Sequence, residues 1–159
     1  RSHRNFDHPD SVDFELSRNH IGSLVNGEKV QVPVYDSTTH RRTNDTLNCE
    51  GHSIILPEGI LALYDTKLHN LMDINISVHT PDDIRVLRRI KRDVNKRGRS
   101  IELVTKQYYE TVRPMHLQFV ENTKKYADII IPEGGQNRVA IDIIRTKITS
   151  ILLNYKANN

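Results

Sequence analysis

The sequence contains a single cysteine and no long uncharged run of apolar residues. One cysteine excludes a disulfide-stapled scaffold and fits a reducing compartment, so we predict a cytoplasmic protein. The missing apolar run, together with a hydrophobic content of 36%, excludes a membrane-spanning helix. Only Cys49 and His52 have the spacing of zinc ligands, and no second pair accompanies them, which disfavours a structural zinc site.

The chain also lacks a signal peptide, an internal repeat and a low-complexity tract. It begins with Arg1 in place of Met, which indicates that the natural start is not included. A length of 159 residues predicts one domain, residues 1–159, large enough to bury a hydrophobic core.

Positive charge is concentrated in residues 80–100, TPDDIRVLRRIKRDVNKRGRS. Thr80 followed by Pro81 and two aspartates predicts a helix start, capped by the Thr80 hydroxyl, and Gly98 predicts its end. An apolar stripe predicts the buried face: Ile84, Leu87, Ile90 and Val94. Between residues 85 and 99 there are eight basic residues and one acid, although the whole chain carries only +3.

This basic helix has two interpretations. The first is an exposed helix face that keeps the protein soluble. Such a face usually mixes charges of both signs, and this helix hardly does. Arginine-rich rows suit bidentate contact with phosphate oxygens, either of a nucleotide or of a nucleic-acid backbone. We therefore favour a phosphate-bearing partner.

Strands alternate with helices along the rest of the chain, which predicts an α/β fold with a mostly parallel sheet. The predicted helices cover 14–25, 60–71, 101–120 with a bend near Pro114, and 137–155 with Ile141, Ile144, Ile148 and Ile151 facing inward. The predicted strands are Val30–Val34 at a sheet edge, and 53–56, 74–78 and 127–131 as buried strands.

Two stretches outside these elements carry candidate functional residues. Residues 35–48, YDSTTHRRTNDTLN, show no periodicity and predict a loop that brings Tyr35, His40 and Arg41 together. Glu58 follows the predicted strand 53–56, at the strand end where α/β proteins bind ligands. It is therefore a candidate near a metal or phosphate, or alternatively a helix-capping carboxylate.

Six stretches together resemble the uridine kinase (uridine–cytidine kinase) family. They occur in the family's order and cover nearly the whole chain: NFDHPDSVDF, VPVYDSTTHRR, IILPEGILAL, DIRVLRRIKRDVNKRGRS, QYYETVRPMH, and TKKYADIIIPEGGQN followed by VAID. The resemblance implies a P-loop kinase-like fold and transfer of a phosphoryl group from ATP or GTP, with Mg²⁺, to the 5′-hydroxyl of uridine or cytidine. It also implies a homotetramer and a role in pyrimidine salvage.

The resemblance assigns roles to matching residues. Asp7 resembles the carboxylate that holds the ribose hydroxyls, and residues 28–50 resemble the nucleoside-binding segment, in which Tyr35 and His40 recognise the base. Residues 80–100 resemble an arginine-rich lid. The remaining implied site residues are Arg89, Arg99 and Gln107 at the substrate, Arg92 and Arg97 near the ATP phosphates, Gln136 near the adenine, and Glu58 near the metal.

The chain departs from the family pattern at several points. Ser37 stands where many members have an aromatic residue beside the base, which implies weaker base stacking. The other three single-residue departures are Val12, His79 and Gln136. The P-loop motif G-x-x-x-x-G-K-[ST] occurs nowhere in the sequence, and the family's catalytic base precedes the matching stretches. We therefore expect no catalytic base within this chain and no turnover by the 159 residues alone.

The sequence is consistent with three functions. The first is a uridine kinase whose ATP cradle lies outside this sequence. The second is a module that binds RNA or DNA through the basic helix, since a clustered basic stripe and a pI near 9.0 are typical of such modules. The third is a non-catalytic subunit of a kinase assembly. The short basic stripe and the α/β order disfavour the nucleic-acid module.

Overall fold

The computed structural model describes residues 5–36, 39 and 41–157. His40 and Ser37 therefore lie outside the described residues. The described chain is helix-rich and contains two small two-stranded sheets. Its strands are β1 (Val30–Asp36), β2 (Arg41–Cys49), β3 (Ile76–Val78) and β4 (Ile129–Ile131), and its α-helices are α1 (Phe14–Val25), α2 (Thr66–His69), α3 (Asp82–Arg97), α4 (Ile101–Gln107), α5 (Arg113–Met115) and α6 (Arg138–Ala157).

Helix α1 forms as its sequence predicts. Asp13 is the N-cap, and its carboxylate accepts a hydrogen bond from the Leu16 amide at 3.0 Å. The helix ends at Val25 with Asn26 as its C-cap, and Gly27 follows with φ of 78°, a conformation that glycine adopts without steric cost. The preceding residues Pro9–Ser11 form one turn of 3-10 helix.

Residues 30–49 form an antiparallel hairpin of β1 and β2. The prediction of a loop over 35–48 is therefore wrong for Tyr35 and Asp36, which belong to β1, and again from Arg41 onward. The register pairs Val30 with Cys49 and Tyr35 with Arg42, with an irregularity between Pro33 and Tyr35. Strand β2 is exposed along almost its entire length, so no buried face imposes the alternation of apolar and polar residues that identifies a strand in sequence.

The predictions for residues 53–71 are also corrected. Among the described residues none pairs with 53–56, which forms no strand, and Leu56 is 82% exposed. The helix predicted over 60–71 is reduced to turns and the four residues of α2. The cause is Asp65, whose extended backbone interrupts the helical path and whose carboxylate caps the new helix at the Leu68 amide.

Strands β3 and β4 form the small parallel sheet. Ile76 pairs with Ile129 and Val78 with Ile131, and the His79 amide donates to the Ile131 carbonyl at 2.8 Å. These strands lie inside the predicted ranges 74–78 and 127–131 but are shorter, and Ile130 is 52% exposed.

Helix α3 is the predicted basic helix, with two corrections. Its N-cap is Pro81 rather than Thr80, and no side chain caps it. The predicted apolar stripe is not buried, since Leu87 is 60% exposed, whereas the acid Asp93 on the same helix has no exposed surface. The predicted end is confirmed, because Gly98 is the C-cap with a left-handed φ of 61°.

The segment after α3 is helical from Ile101 to Tyr126. Ser100 caps α4 by accepting a hydrogen bond from the Leu103 amide at 3.2 Å. The wider π-helical turns Tyr108–Val112 and His116–Val120 flank α5, which contains Pro114. A proline removes one backbone donor from a helix, so an irregularity at this place is expected. The 3-10 segment Glu121–Tyr126 then leads towards β4.

Helix α6 begins after Asn137, whose side chain accepts from the Ala140 amide at 3.0 Å. The prediction of an inward apolar face is wrong for this structure, since Ile141 and Ile148 are 42% and 38% exposed. Among the described residues the buried apolar ones are few: Leu24, Val30, Leu61, Leu63, Leu68, Val104 and Ile131.

In the described part of the chain, every helix is too short or too polar to cross a bilayer.

Candidate functional site

The C-terminal half of α3 and the turn that follows it gather four arginines around one carboxylate. Helical spacing places Arg89 and Arg97 one turn before and one turn after Asp93, and Arg92 is its neighbour in sequence. The left-handed turn at Gly98 then reverses the chain, so that the Arg99 amide donates to the Asp93 carbonyl at 3.1 Å. A residue with a side chain would be strained at Gly98, which makes glycine the appropriate residue for this return.

Asp93 is the centre of this arginine cluster, which we define as Arg89, Arg92, Arg97 and Arg99 with Asp93 and Gln107. Arg92 Nε lies 2.9 Å and Arg97 Nη1 3.1 Å from Asp93 Oδ1. On the other oxygen, Oδ2, Arg99 Nη1 lies at 3.6 Å and Arg89 Nε at 3.8 Å.

Gln107, the last residue of α4, completes the cluster from the neighbouring helix. Its Oε1 accepts hydrogen bonds from Arg89 Nη2 at 3.3 Å and Arg99 Nη1 at 3.2 Å. The side-chain carbonyl is therefore occupied by the arginines, and the amide NH₂ is the group left for another partner. This contact fixes α4 against the end of α3.

The cluster keeps a strong positive charge despite its carboxylate. The side chain of Asp93 has no exposed surface, while those of Arg92 and Arg97 are 48% and 51% exposed, so the guanidinium groups lie between the carboxylate and solvent. Burial acts to raise the pKa of Asp93, but the hydrogen bond from Arg92 and the charges of Arg92, Arg89 and Arg97 hold that pKa below its ordinary value. Asp93 is therefore ionised at neutral pH.

One pair of atoms in the cluster is incompletely bonded. Arg89 Nε and Asp93 Oδ2 are both buried, and neither has a hydrogen-bond partner among the described residues. They face each other at 3.8 Å, which is too long for a hydrogen bond. A small movement of either side chain would satisfy both groups.

Tyr35 lies on β1, about half exposed, at the edge of a shallow cavity between α1 and the hairpin. The cavity measures about 220 Å³, smaller than most ligand pockets. An ion pair crosses it, since Arg42 Nη2 lies 2.9 Å from Asp13 Oδ2. The hydrogen bonds from the Leu16 amide and Arg42 hold the pKa of Asp13 below its ordinary value.

Asp7 lies in the lead-in loop, where its amide donates to Asn5 Oδ1 at 3.1 Å. The next residue, His8, packs edge-on against Phe119 with ring centres 4.9 Å apart. Phe119 in turn contacts Tyr64, which contacts Phe14 on α1. These aromatic contacts attach the loop that carries Asp7 to three separate parts of the chain.

Glu58 and Gln136 are exposed. Glu58 does not follow a strand in the structure, contrary to the prediction, and Gln136 lies in the 3-10 turn Gly134–Gln136. Within residues 5–36, 39 and 41–157, no group of three His, Cys, Asp or Glu side chains is placed to hold a metal.

A second polar network adjoins the end of β3. Lys124 Nζ lies 2.8 Å from His79 Nδ1 and 2.5 Å from Glu121 Oε1, and His116 Nε2 lies 3.3 Å from Glu121 Oε2. Burial and the nearby charge of Arg85 hold the pKa of His116 below its ordinary value, despite the opposing effect of Glu121. His79, one of the departures noted in the sequence, thus bonds Lys124.

The structure brings together five of the predicted site residues and leaves the others apart. Arg89, Arg92, Arg97, Arg99 and Gln107 meet in the arginine cluster. Within the described residues, no hydrogen bond or ion pair joins that cluster to the remaining predicted residues Asp7, Tyr35, Glu58 and Gln136. His40 lies outside the described residues.

Sequence reasoning missed Asp93. A signal was present, because Asp93 is the single acid among eight basic residues and lies at i,i+4 spacing from both Arg89 and Arg97.

A helix-rich α/β chain with a small parallel sheet fits the P-loop kinase-like class of folds. A family model for the phosphoribulokinase / uridine kinase family matches residues 1–140, so the chain belongs to that family. A uridine kinase of Bacillus subtilis (strain 168) is 52% identical over 152 residues, which cover 96% of this chain and 72% of that protein. A uridine kinase of Anoxybacillus flavithermus is 53% identical over 148 residues, covering 93% of this chain and 70% of the relative. The predicted family resemblance is thus confirmed.

Proposed function

We propose that this protein acts as a nucleoside kinase of the uridine kinase type, transferring the γ-phosphoryl group of ATP or GTP to the 5′-hydroxyl of uridine or cytidine. Relatives that share about half of its residues and carry the name uridine kinase support this substrate class. The observation that carries the proposal is the convergence of four guanidinium groups and one amide on a single cluster.

In this proposal the arginine cluster receives the phosphate oxygens. Phosphoryl transfer is catalysed mainly by positioning and by stabilising the charge that spreads over the transferred group. Arg92 and Arg97, with half-exposed side chains, would contact the phosphates of the donor. Arg99 and Arg89 would lie nearer the nucleoside, on a helix that acts as a lid within residues 80–100.

The nucleoside itself would be held by side chains outside the cluster. We propose that Asp7 accepts hydrogen bonds from the ribose hydroxyls and that Tyr35, His40 and the NH₂ group of Gln107 orient the base. A lid that moves would bring these separate positions together, since closure commonly completes a kinase site. Residues 28–50 would form the nucleoside-binding part of a single domain.

The phosphate donor and its metal ion would each need a binding residue in addition to the cluster. Mg²⁺ usually binds one or two carboxylates together with substrate phosphates and water, so Glu58 fits as a single protein ligand. When bound, the metal would neutralise phosphate charge. Gln136 would lie near the adenine. Because residues 1–159 contain no P-loop motif, we propose that turnover requires a phosphate cradle supplied outside this sequence.

Calorimetric titration with uridine tests the nucleoside part of this proposal. We expect the 159-residue chain to bind uridine and the Asp7→Ala variant to bind it at least tenfold more weakly, because a charge-assisted hydrogen bond is lost. Asp10→Ala is a matched control, as it removes the same charge three residues away and should leave affinity unchanged. Equal affinity in wild type and Asp7→Ala would remove Asp7 from the site.

A further inference from the structure

We infer that Asp93 is a positioning residue that holds the arginines in the geometry needed to bind phosphate. This inference rests on the proposed function and extends it to a residue with no assigned role. Asp93 itself, as an anion enclosed by arginines, would not touch the substrate.

The geometry of the contacts supports a positioning role. Each carboxylate oxygen of Asp93 faces two guanidinium groups, at distances from 2.9 to 3.8 Å. Four like charges brought this close repel one another, and without a central anion they would spread apart into solvent. The carboxylate therefore offsets the repulsion that gathering the arginines creates.

The contacts with Asp93 also leave other N–H groups of the arginines available to bind phosphate. Each guanidinium group carries five N–H donors, and the nitrogen that pairs with Asp93 is Nε for Arg89 and Arg92 and Nη1 for Arg97 and Arg99. The remaining N–H groups of Arg92 and Arg97 lie on half-exposed side chains. A phosphate can thus bind the outer edge of the cluster while Asp93 holds the inner edge.

If Asp93 only contributes negative charge, or if it instead positions the arginines, neutralising its carboxylate should change the affinity for an anion in opposite directions. Asp93→Asn adds one positive charge to the cluster, so attraction alone would tighten the binding of an anion. If Asp93 instead orders the arginines, the same substitution weakens binding, because a neutral Asn cannot hold the four guanidinium groups together by charge. The sign of the change therefore distinguishes the two roles.

The experiment measures the affinity of the full 159-residue chain for inorganic tripolyphosphate by calorimetry. We expect Asp93→Asn to weaken binding by about 10- to 100-fold, as for the loss of a charge-assisted hydrogen bond. Asp83→Asn is the control, since it makes the same charge change at an exposed position in the first turn of the same helix and should leave affinity equal or slightly higher. Equal or tighter binding by Asp93→Asn would overturn the inference.

A second variant keeps the test decisive if Asp93→Asn does not fold, which circular dichroism will reveal. Asp93→Glu retains the net charge but displaces the carboxylate by one methylene. We expect it to bind tripolyphosphate about three- to tenfold more weakly, whereas unchanged affinity would contradict the inference.

Uridine provides the separate test of the proposed function. If the wild type binds tripolyphosphate but not uridine, the nucleoside kinase proposal fails while the role of Asp93 is still decided by the variants. If Asp93→Asn loses tripolyphosphate binding but keeps uridine binding, the positioning effect is specific to the phosphate and the inference stands.

Discussion

Asp65 connects two parts of the chain through its two carboxylate oxygens. Oδ1 accepts from the Leu68 amide at 2.7 Å and caps α2, while Oδ2 lies 2.6 Å from Arg18 Nη1 on α1. Both side chains are mostly buried, at 20% and 27% exposure. An ion pair in this setting is worth more than one at the surface, because removing one partner leaves the other poorly solvated.

We expect Asp65→Ala to lower the free energy of unfolding by about 2–3 kcal/mol, from the lost helix cap and the unpaired Arg18. Asp65→Asn keeps a capping oxygen and should cost less. Urea denaturation of the three proteins measures both effects. A loss below about 0.5 kcal/mol in Asp65→Ala would show that the contact contributes little.

Arg99 provides the corresponding prediction at the candidate site. Arg99→Ala should weaken binding of uridine 5′-monophosphate by about 1.5–3 kcal/mol, the usual value of a hydrogen bond to a charged group. Arg88→Ala, an exposed arginine of the same helix, is the matched control and should change affinity only slightly. Equal losses in both variants would mean that general charge, and not the cluster, attracts the phosphate.

At the level of single residues, the sequence predicts a role for the arginines and Gln107 but not for the residue that they surround. Basic residues and a family pattern can be read directly along the chain. The burial of Asp93, in contrast, depends on the turn at Gly98 that brings Arg99 back towards Asp93. That turn is a property of the folded backbone.

Among the elements, the turn at Gly98 determines where α3 ends and where Arg99 lies. Its φ of 61° is unfavourable for a residue with a Cβ atom, although no neighbouring atom would obstruct one. We expect Gly98→Ala to reduce the free energy of unfolding by about 1 kcal/mol and to weaken phosphate binding through Arg99. Thermal unfolding and tripolyphosphate titration measure the two effects.

Gly22 offers a control for that substitution, as it lies within α1 and an added Cβ would meet nothing within 4 Å. Gly22→Ala should raise stability by about 0.5–1 kcal/mol. If both alanine variants shift stability in the same direction, the backbone conformation at Gly98 is not the cause.

The helical segment that contains His116 predicts a pH dependence. Because its pKa lies below the ordinary 6.5, the unfolded chain takes up this proton first as the pH falls. The stability linked to His116 is therefore fully present above about pH 6.5 and is lost below it. The lowered pKa values of Asp82 and Glu121 act in the same direction at more acidic pH.

Melting temperatures measured between pH 8 and pH 5 test this prediction. We expect a decrease that begins near pH 6.5 in the wild type and a smaller decrease in His116→Gln, where the titrating group is gone. A melting temperature that is constant or rises as the pH falls from 7 to 5.5 would contradict it.

The elements also show which sequence signals are reliable. Caps such as Asp13 and Ser100 have a local mechanism, since their hydrogen bonds reach only three residues along the chain. Strand β2 and the non-strand 53–56 were predicted wrongly because strand formation depends on a partner elsewhere in the chain. The apolar residues of α6 follow helical spacing, yet burial needs a second surface that the spacing does not specify.

For the whole molecule, the charge distribution separates the kinase proposal from the nucleic-acid alternative. The basic residues of α3 are the main positive feature of a chain with a net charge of +3. Binding to a nucleic-acid backbone would weaken steeply with salt and would be indifferent to free nucleosides. Binding of uridine, which carries no charge, should hardly change between 50 and 200 mM salt.

The most direct test of the whole account is a pair of calorimetric titrations of the 159-residue chain, one with uridine and one with uridine 5′-monophosphate. We expect both ligands to bind, with the monophosphate binding more tightly at low salt and losing this advantage in Arg99→Ala. A chain that binds neither ligand, yet binds an oligonucleotide with strong salt dependence, would contradict the proposal that this is a nucleoside site with an arginine-lined phosphate position.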